Sequence, residues 1–206
     1  MLFLRTIILL LSLTLLSGCM GGNSGNIPQD HYYRLPTPAD TTILSTPLLD
    51  GTLEINAIQT RGMLHERAIL FIREQQPLEV NPYHYYYWVN APASLVQQHL
   101  IDYLQQKNLA HSQHRYRADD PADFRLEGEL LHFERYMGVK MIEAQIELEL
   151  VLRDNRNKRI LLRKTYAHNS PAKSGEMADT ANAFGLALTA IYQQFARDIA
   201  TLKQQE

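Results

Sequence analysis

The sequence predicts an α+β fold: a single domain with a largely antiparallel or mixed sheet and two main helices packed on one face. Three observations carry this. Ile142, Ala144, Ile146, Leu148, Leu150 and Leu152 alternate with Glu143, Gln145, Glu147 and Glu149, the period-two pattern of a strand with one face in a core and one in water. Met177, Ala181, Phe184, Leu188, Ile191, Phe195 and Ile199 recur at three-to-four spacing, which is the apolar stripe of an amphipathic helix. The remaining strand patterns follow one another as hairpins, which favours helices segregated to one face of an antiparallel sheet.

His31 to Leu35 reads as a short strand stopped by Pro36 and Pro38, and Leu53 to Ile58 alternates as a second. Ala68 to Arg73 is a continuous apolar run and Leu78 to Trp88 an extended aromatic one, with a hairpin turn expected around Gln75, Gln76 and Pro77. Pro92 opens a helix to Asn108, with Ser94 as its expected N-cap and Leu95, Val96, His99, Leu100, Tyr103 and Leu104 as its inner stripe. A polar, Asp-rich loop follows. Phe124, Leu126, Gly128 and Leu130 then alternate as a strand, the strand of Ile142 comes next, Asp154 to Asn157 make a turn, and Arg159 to Ala167 pair back. Ser174 is expected to cap a final helix to Leu202, about 43 Å long at 1.5 Å per residue. Ala178, Gly185, Ala187 and Ala190 flank its stripe and permit close packing.

Ahead of this domain, residues 30–206, the chain reads as an export signal over residues 1–18 and a tether over 19–29. Arg5 supplies a positive charge and Ile7 to Leu16 is apolar but for Ser12 and Thr14. A spanning helix needs about 20 apolar residues, so this shorter run with small residues at its end is a signal peptide. Leu16-Ser17-Gly18-Cys19 resembles a lipobox, in which the Cys thiol takes a diacylglyceryl group and the chain is cut before it. Cys19 is the single cysteine; once its thiol carries lipid none remains, which excludes disulfides, thiolate catalysis and Cys-based metal sites. One acyl chain binds a bilayer only marginally, at about 0.8 kcal/mol per buried CH2; a diacylglyceryl group plus an N-acyl chain such as palmitate anchors firmly. Met20, not Asp, follows Cys19, which by the sorting rule of enteric lipoproteins points to the outer membrane, facing the periplasm. Met20 to Gln29, rich in Gly, Ser and Asn, has the composition of a coil spanning about 17 Å.

The formal net charge is −2 and no basic run exists, so nucleic-acid binding has no support. Motifs for nucleotide binding, for a zinc protease and for a nucleophile elbow do not occur. His111 and His114 form the one close histidine pair, without further ligands nearby in sequence, and a solvated pair is the better reading. Asp119, Asp120 and Asp123 lack calcium-loop spacing. Glu143, Glu147 and Glu149 read as a solvated strand face opposite Arg159 and Arg163. No cofactor, metal or catalytic residue is expected. Tyr83-His84-Tyr85-Tyr86-Tyr87-Trp88 is the unusual feature. On a regular strand Tyr83, Tyr85 and Tyr87 point one way, and His84, Tyr86 and Trp88 the other; one face must pack, and the second is either covered or a binding surface, where Tyr and Trp are enriched.

Three segments together resemble the PqiC-like family of ABC-type transport auxiliary lipoproteins: Tyr32-Tyr33-Arg34-Leu35, Gly62 to Ile69 with Arg67 at its centre, and Tyr83 to Trp88 followed by Pro92. The Tyr-rich filling departs from the commoner charged one. The resemblance implies a lipid-anchored accessory protein without catalysis, whose partners are an MCE-domain protein and its ABC permease and ATPase, in lipid trafficking between envelope membranes. It implies partner contact through the Gly62–Arg67 loop or the Tyr83–Trp88 strand, with Arg67 and Tyr86 as candidates, and leaves homo-oligomerisation open. Two other readings stand beside it: an outer-membrane pilotin or assembly lipoprotein, and a lipid-anchored hydrolase, for which no nucleophile–base pair is evident. The anchor is directly testable. Cys19→Ser is expected to abolish incorporation of labelled fatty acid and to leave an uncleaved precursor; continued labelling would remove Cys19 as the attachment point.

Overall fold

The computed structural model describes residues 28–38 and 42–204; the export signal, Cys19 and most of the tether lie outside the described residues. Among these the chain runs β1 (His31–Tyr33), β2 (Leu49–Ile55), β3 (Gln59–Thr60), a 3-10 turn (Gly62–His65), β4 (Ala68–Arg73), β5 (Gln76–Trp88), α1 (Pro92–Lys107), β6 (Ala110–Arg115), β7 (Phe124–Met137), β8 (Ile142–Asp154), β9 (Arg159–Pro171) and α2 (Met177–Lys203). The α+β class and the two main helices agree with the sequence reading, and the sheet is mixed.

Strand β7 organises it. Along one edge β7 pairs antiparallel with β8 from Phe124↔Asp154 to Met137↔Ile142, and β8 pairs antiparallel with β9. Its other edge is shared in parallel by three short strands in turn: β2 at Leu53↔Phe124, β3 at Thr60↔Leu130 and β4 at Leu70↔Glu134 to Arg73↔Met137. Beyond them lie β6, parallel to β2, and then β5 and β1, with β5 antiparallel to β4 and β1 parallel to β5. A register shift between Leu130 and His132 moves the inward face of β7 from Leu126 and Leu130 to Phe133, as a bulge does.

The alternating face of β8 meets α2. Ala144, Ile146, Leu148, Leu150 and Leu152 are buried with Phe184, Leu188, Ile191, Phe195 and Ile199. Trp88 from β5, Phe133 from β7 and Phe184 from α2 form one aromatic cluster, with ring centroids 5.3, 5.5 and 4.3 Å apart. Helix α1 packs on α2, where buried Tyr192 donates to the Val96 carbonyl at 3.3 Å and lies beside the Tyr103 ring. Strand β9 is fastened to α2 by Asp198, which accepts from Tyr166 Oη and Lys164 Nζ, each at 2.8 Å.

Several expectations change. Ser94 is not the cap of α1: Ala91 precedes the helix without a side-chain cap bond, and Pro92, whose fixed φ suits the first turn, starts it. Glu176 rather than Ser174 stands at the N-cap of α2; Ser174 supports that start from outside, accepting from the Glu176 N–H at 3.2 Å and donating to the Asp179 carboxylate. The β4–β5 turn is Glu74-Gln75, and Pro77 lies within β5. Ile58 lies beyond β2, although its side chain stays in the core. The strand β6 was not anticipated, because Ala110–Arg115 is polar and shows no alternation.

Two features of the interior yield tests. Gly185 lies where Pro36 crosses α2; a Cβ there would sit 2.3 Å from Pro36 Cγ. Gly185→Ala should gain about 1 kcal/mol of helix propensity yet lose about 1–3 kcal/mol to overpacking, for a net fall in the denaturation midpoint. Pairing it with Pro36→Gly should recover much of the loss. His99 is buried beside Tyr192, its ring nitrogens without a hydrogen-bond partner of normal geometry among the described residues. Burial holds its pKa down at about 4 against an ordinary 6.5, the nearby Asp102 carboxylate and Pro36 carbonyl only partly offsetting it. The unfolded ring therefore binds a proton below 6.5 that the folded ring refuses until about pH 4. The contribution of the neutral ring, about 3 kcal/mol, is present above pH 6.5 and is lost as pH falls from 6.5 to 4. Urea titrations at several pH values should show a shallower fall over that window in His99→Leu than in the native chain.

Candidate partner-docking site

The three sequence segments singled out above meet at one corner of the sheet. Strand β1 pairs with the end of β5 in the register His31↔Tyr86, Tyr32↔Tyr87 and Tyr33↔Trp88. Beside them, β4 begins with Ala68 opposite Tyr87, and the Trp88 N–H donates to the Arg67 carbonyl at 2.7 Å. The chain reaches this corner through Gly62, whose φ of 57° is open to glycine at little cost and turns β3 into the 3-10 turn.

The aromatic run does not alternate as a regular strand would. Two steps along β4, from Ala68 to Leu70, match five along β5, from Tyr87 back to Pro82. The extra residues form a bulge, fixed by Tyr87 Oη donating to the His84 carbonyl. The expected split of Tyr83, Tyr85 and Tyr87 from His84, Tyr86 and Trp88 therefore fails: Tyr83 and Tyr86 meet edge to face at 5.5 Å. Tyr83 also packs on Phe71 at 4.5 Å and accepts from Arg135 Nη1 at 3.0 Å. Tyr85 points to solvent, and Trp88 is buried.

The two candidate contact residues are brought to the same corner but to different surroundings. Tyr86 is half-buried, stacked on His31 at 5.4 Å and close to Tyr33. Arg67 is exposed, its guanidinium 5.6 Å from the Tyr32 ring, which stacks on Tyr87 at 5.6 Å. A cavity of about 270 Å³ opens here, lined by Met63, Arg67, Leu70, Pro82 and Tyr87 among others. An apolar floor, rigid aromatics and one exposed cation are the composition of a protein-binding surface. Cys19 lies outside the described residues.

The remaining charged candidates resolve into structural pairs. His111 and His114 both lie on β6, where His111 pairs with Asp50 at 3.0 Å and His114 with Asp120 at 3.6 Å. Among the described residues no group of three or more His, Cys, Asp or Glu could hold a metal ion. Asp123 accepts from the Thr52 N–H at 2.8 Å and the Thr52 hydroxyl at 3.1 Å, and these bonds hold its carboxyl below the usual range. Glu149 pairs with Arg163 at 3.1 Å, and Glu147 lies 3.8 Å from His132.

Sequence reasoning missed several buried charges, Glu54 and Arg135 among them. Glu54 is paired with Arg125 on β7, yet its place between Leu53 and Ile55 reads as an ordinary solvent-facing position. Arg135 is buried and donates to Tyr83 Oη and, at 2.6 Å, to the Gly175 carbonyl. Its one local signal is the shift in β7 from even to odd inward positions.

No family model and no curated relative matches the sequence. Solved structures share the fold. Protein XCC0632 from Xanthomonas campestris, of family DUF330, superposes with a TM-score of 0.69 at 19% identity, over 85% of this chain and 98% of that one. An uncharacterized protein superposes at 0.65 with 10% identity, over 83% and 99%. The hypothetical protein CT253 from Chlamydia trachomatis does so at 0.52 with 11% identity, over 76% and 99%. At these identities the likeness is one of fold. Among the described residues no helix is long and apolar enough to cross a membrane.

Proposed function

We propose that this protein is a lipid-anchored periplasmic accessory component of an MCE-type ABC transport system, working in lipid trafficking between envelope membranes as a docking and coupling protein, not an enzyme. Cys19 carries the anchor, in the outer membrane. The observation that supports this reading most is convergence. Three segments that resemble the auxiliary lipoproteins, far apart in sequence, come together as the surface formed by Tyr32, Arg67 and Tyr87. Packing does not account for Arg67, whose side chain is exposed and supports nothing in the core. The shared fold with the DUF330 protein is compatible with it.

The test is copurification of the MCE protein, with its permease and ATPase, from the envelope. Arg67→Ala removes an exposed side chain and should leave thermal stability unchanged while weakening capture; a hot-spot residue contributes about 1–3 kcal/mol, a five- to hundredfold effect at about 1.4 kcal/mol per tenfold. Tyr86→Ala acts differently, because Tyr86 also supports β1 through His31 and Tyr33; it should weaken capture together with some loss of stability. Photocrosslinking from position 67 that captures neither MCE protein nor permease, in a chain shown to be folded and anchored, would defeat this reading in favour of a pilotin-type assembly factor.

A further inference from the structure

The end of the sheet where β4 turns into β5 and β7 into β8 is built differently from the rest of the surface. The two turns are locked side by side. Arg73 pairs with Met137, the Glu74 N–H donates to the Met137 carbonyl at 3.1 Å, and the Val139 N–H donates to the Glu74 carboxylate at 2.6 Å. The platform so formed holds apolar side chains out in solvent: Leu78 is 99% exposed, Val139 73%, Met141 54% and Val80 37%. Charges of both signs flank them: Arg73 lies over the Phe71 ring at 4.7 Å and Lys140 between Val139 and Met141, while Glu79 lies between Leu78 and Val80 and the Glu74 carboxylate is taken up by Val139 N–H. The opposite end of the sheet carries charge pairs instead, Glu54–Arg125, Asp154–Arg156 and Asp50–His111.

The course of the chain says what covers this platform. Strand β1 is parallel to β5 and begins opposite Tyr86, so its N-terminal end at His31 is directed towards the beginning of β5, which is the platform. The distance is short: β4, from Ala68 beside Tyr87 to Arg73 at the platform, has six residues and covers about 17 Å. Cys19 is eleven residues before Asp30, a reach of at most about 40 Å. A lipid at Cys19 therefore brings the platform within reach of the bilayer. Apolar side chains at the apex of a rigid turn, with the long stems of Arg73 and Lys140 beside them, suit the boundary between acyl chains and headgroups.

We infer that the paired β4–β5 and β7–β8 turns are a membrane-contact surface, in which Leu78, Val80, Val139 and Met141 enter the interfacial layer of the bilayer that holds the Cys19 lipid. This rests on the lipoprotein reading of Cys19. It gives the domain a fixed stance: the platform faces lipid, the charged end points away, and the Arg67–Tyr87 surface stands to the side.

The test uses the lipid-carrying full-length chain in vesicles of phosphatidylethanolamine and phosphatidylglycerol. Because the native thiol is occupied by lipid, Leu78→Cys, Val139→Cys and, at the charged end, Ile160→Cys each provide one site for an environment-sensitive fluorophore. These side chains are exposed, so labelling does not disturb the core. At 78 and 139 the emission is expected to shift to the blue and to fall severalfold when the vesicles contain doxyl-labelled acyl chains, while position 160 stays unaffected. Emission at 78 and 139 that stays water-like, on vesicles that carry the chain, would overturn the inference and leave the anchor intact. A blue shift without quenching by doxyl lipid would also overturn it and assign the platform to a protein neighbour. Mass spectrometry of the mature N-terminus separates the premise: a Cys19 without lipid defeats the lipoprotein reading and this stance with it.

Discussion

The cluster of Trp88, Phe133 and Phe184 is the contact on which the rest of the molecule depends. Each ring comes from a different element: the end of β5, the second half of β7 and the first half of α2. Without it, the Trp88 end of β5 would be held to the sheet by backbone pairing with β4 alone, and the corner that β5 shares with β1 would have a looser relation to the helices. Aromatic side chains suit this task, since each buries a large area and edge-to-face or tilted packing fixes direction as well as distance. Trp88 also ends the aromatic run, so the residues before it are free to leave the core, and the bulge at 83–86 is the consequence. Trp88 and Ile69 are inside, Tyr85 and Arg67 are outside, and the surface is presented by backbone that the core has already fixed.

Strand β7 imposes the second constraint. Its fourteen residues serve three short parallel partners on one edge, and each takes a different stretch. The three follow one another in the same direction along that edge, so the irregular segments between them, including the 3-10 turn that sets Arg67 beside β5, interrupt one course of the chain and do not reverse it. The loop surface is thus a by-product of filling one edge of a long strand with short pieces. The same division leaves Glu54 and Arg125 opposed on neighbouring strands at one end, and Arg135 beside Tyr83 near the other. Both charges are kept by partners, as a buried charge must be.

How much of this was legible in the sequence follows the strength of local pattern. The strand of Ile142 to Leu152, the run Ala68 to Arg73 and the stripe of α2 are specified by their own residues, and they appear where periodicity puts them. The failures share a cause: in each, a neighbour outweighs the local signal. Strand β6 has no alternation because its partner β2, not an apolar face, holds it in place. Ser94 has the right chemistry for a cap, but Pro92 starts the helix sooner. The split of the tyrosines assumed one register, and a bulge seen only through pairing with β4 altered it. Of the docking corner, the residue types were readable but their assembly was not, because Tyr32, Arg67 and Tyr87 owe their proximity to strand order. Cys19 is the opposite case, a proposed lipidation site read wholly from local sequence.

Strand β1 links these levels. It has three residues, too few for its backbone pairing alone to hold an end of the chain against fraying. What secures it is side-chain packing on both of its faces, His31 on Tyr86 and Tyr32 on Tyr87, with Val89 N–H bonded to the Tyr33 carbonyl at 2.8 Å and Pro36 seated at Gly185. The chain that leads to Cys19 enters the domain here, so a pull on the N-terminus reaches the domain first through Tyr86 and Tyr87. Those residues border the Arg67 surface. The proposed anchor and the proposed docking corner would then share one strand, and a change that loosens β1 should alter both together. A residue such as Arg67, which lies over Tyr32 without supporting the core, is where the two can be separated.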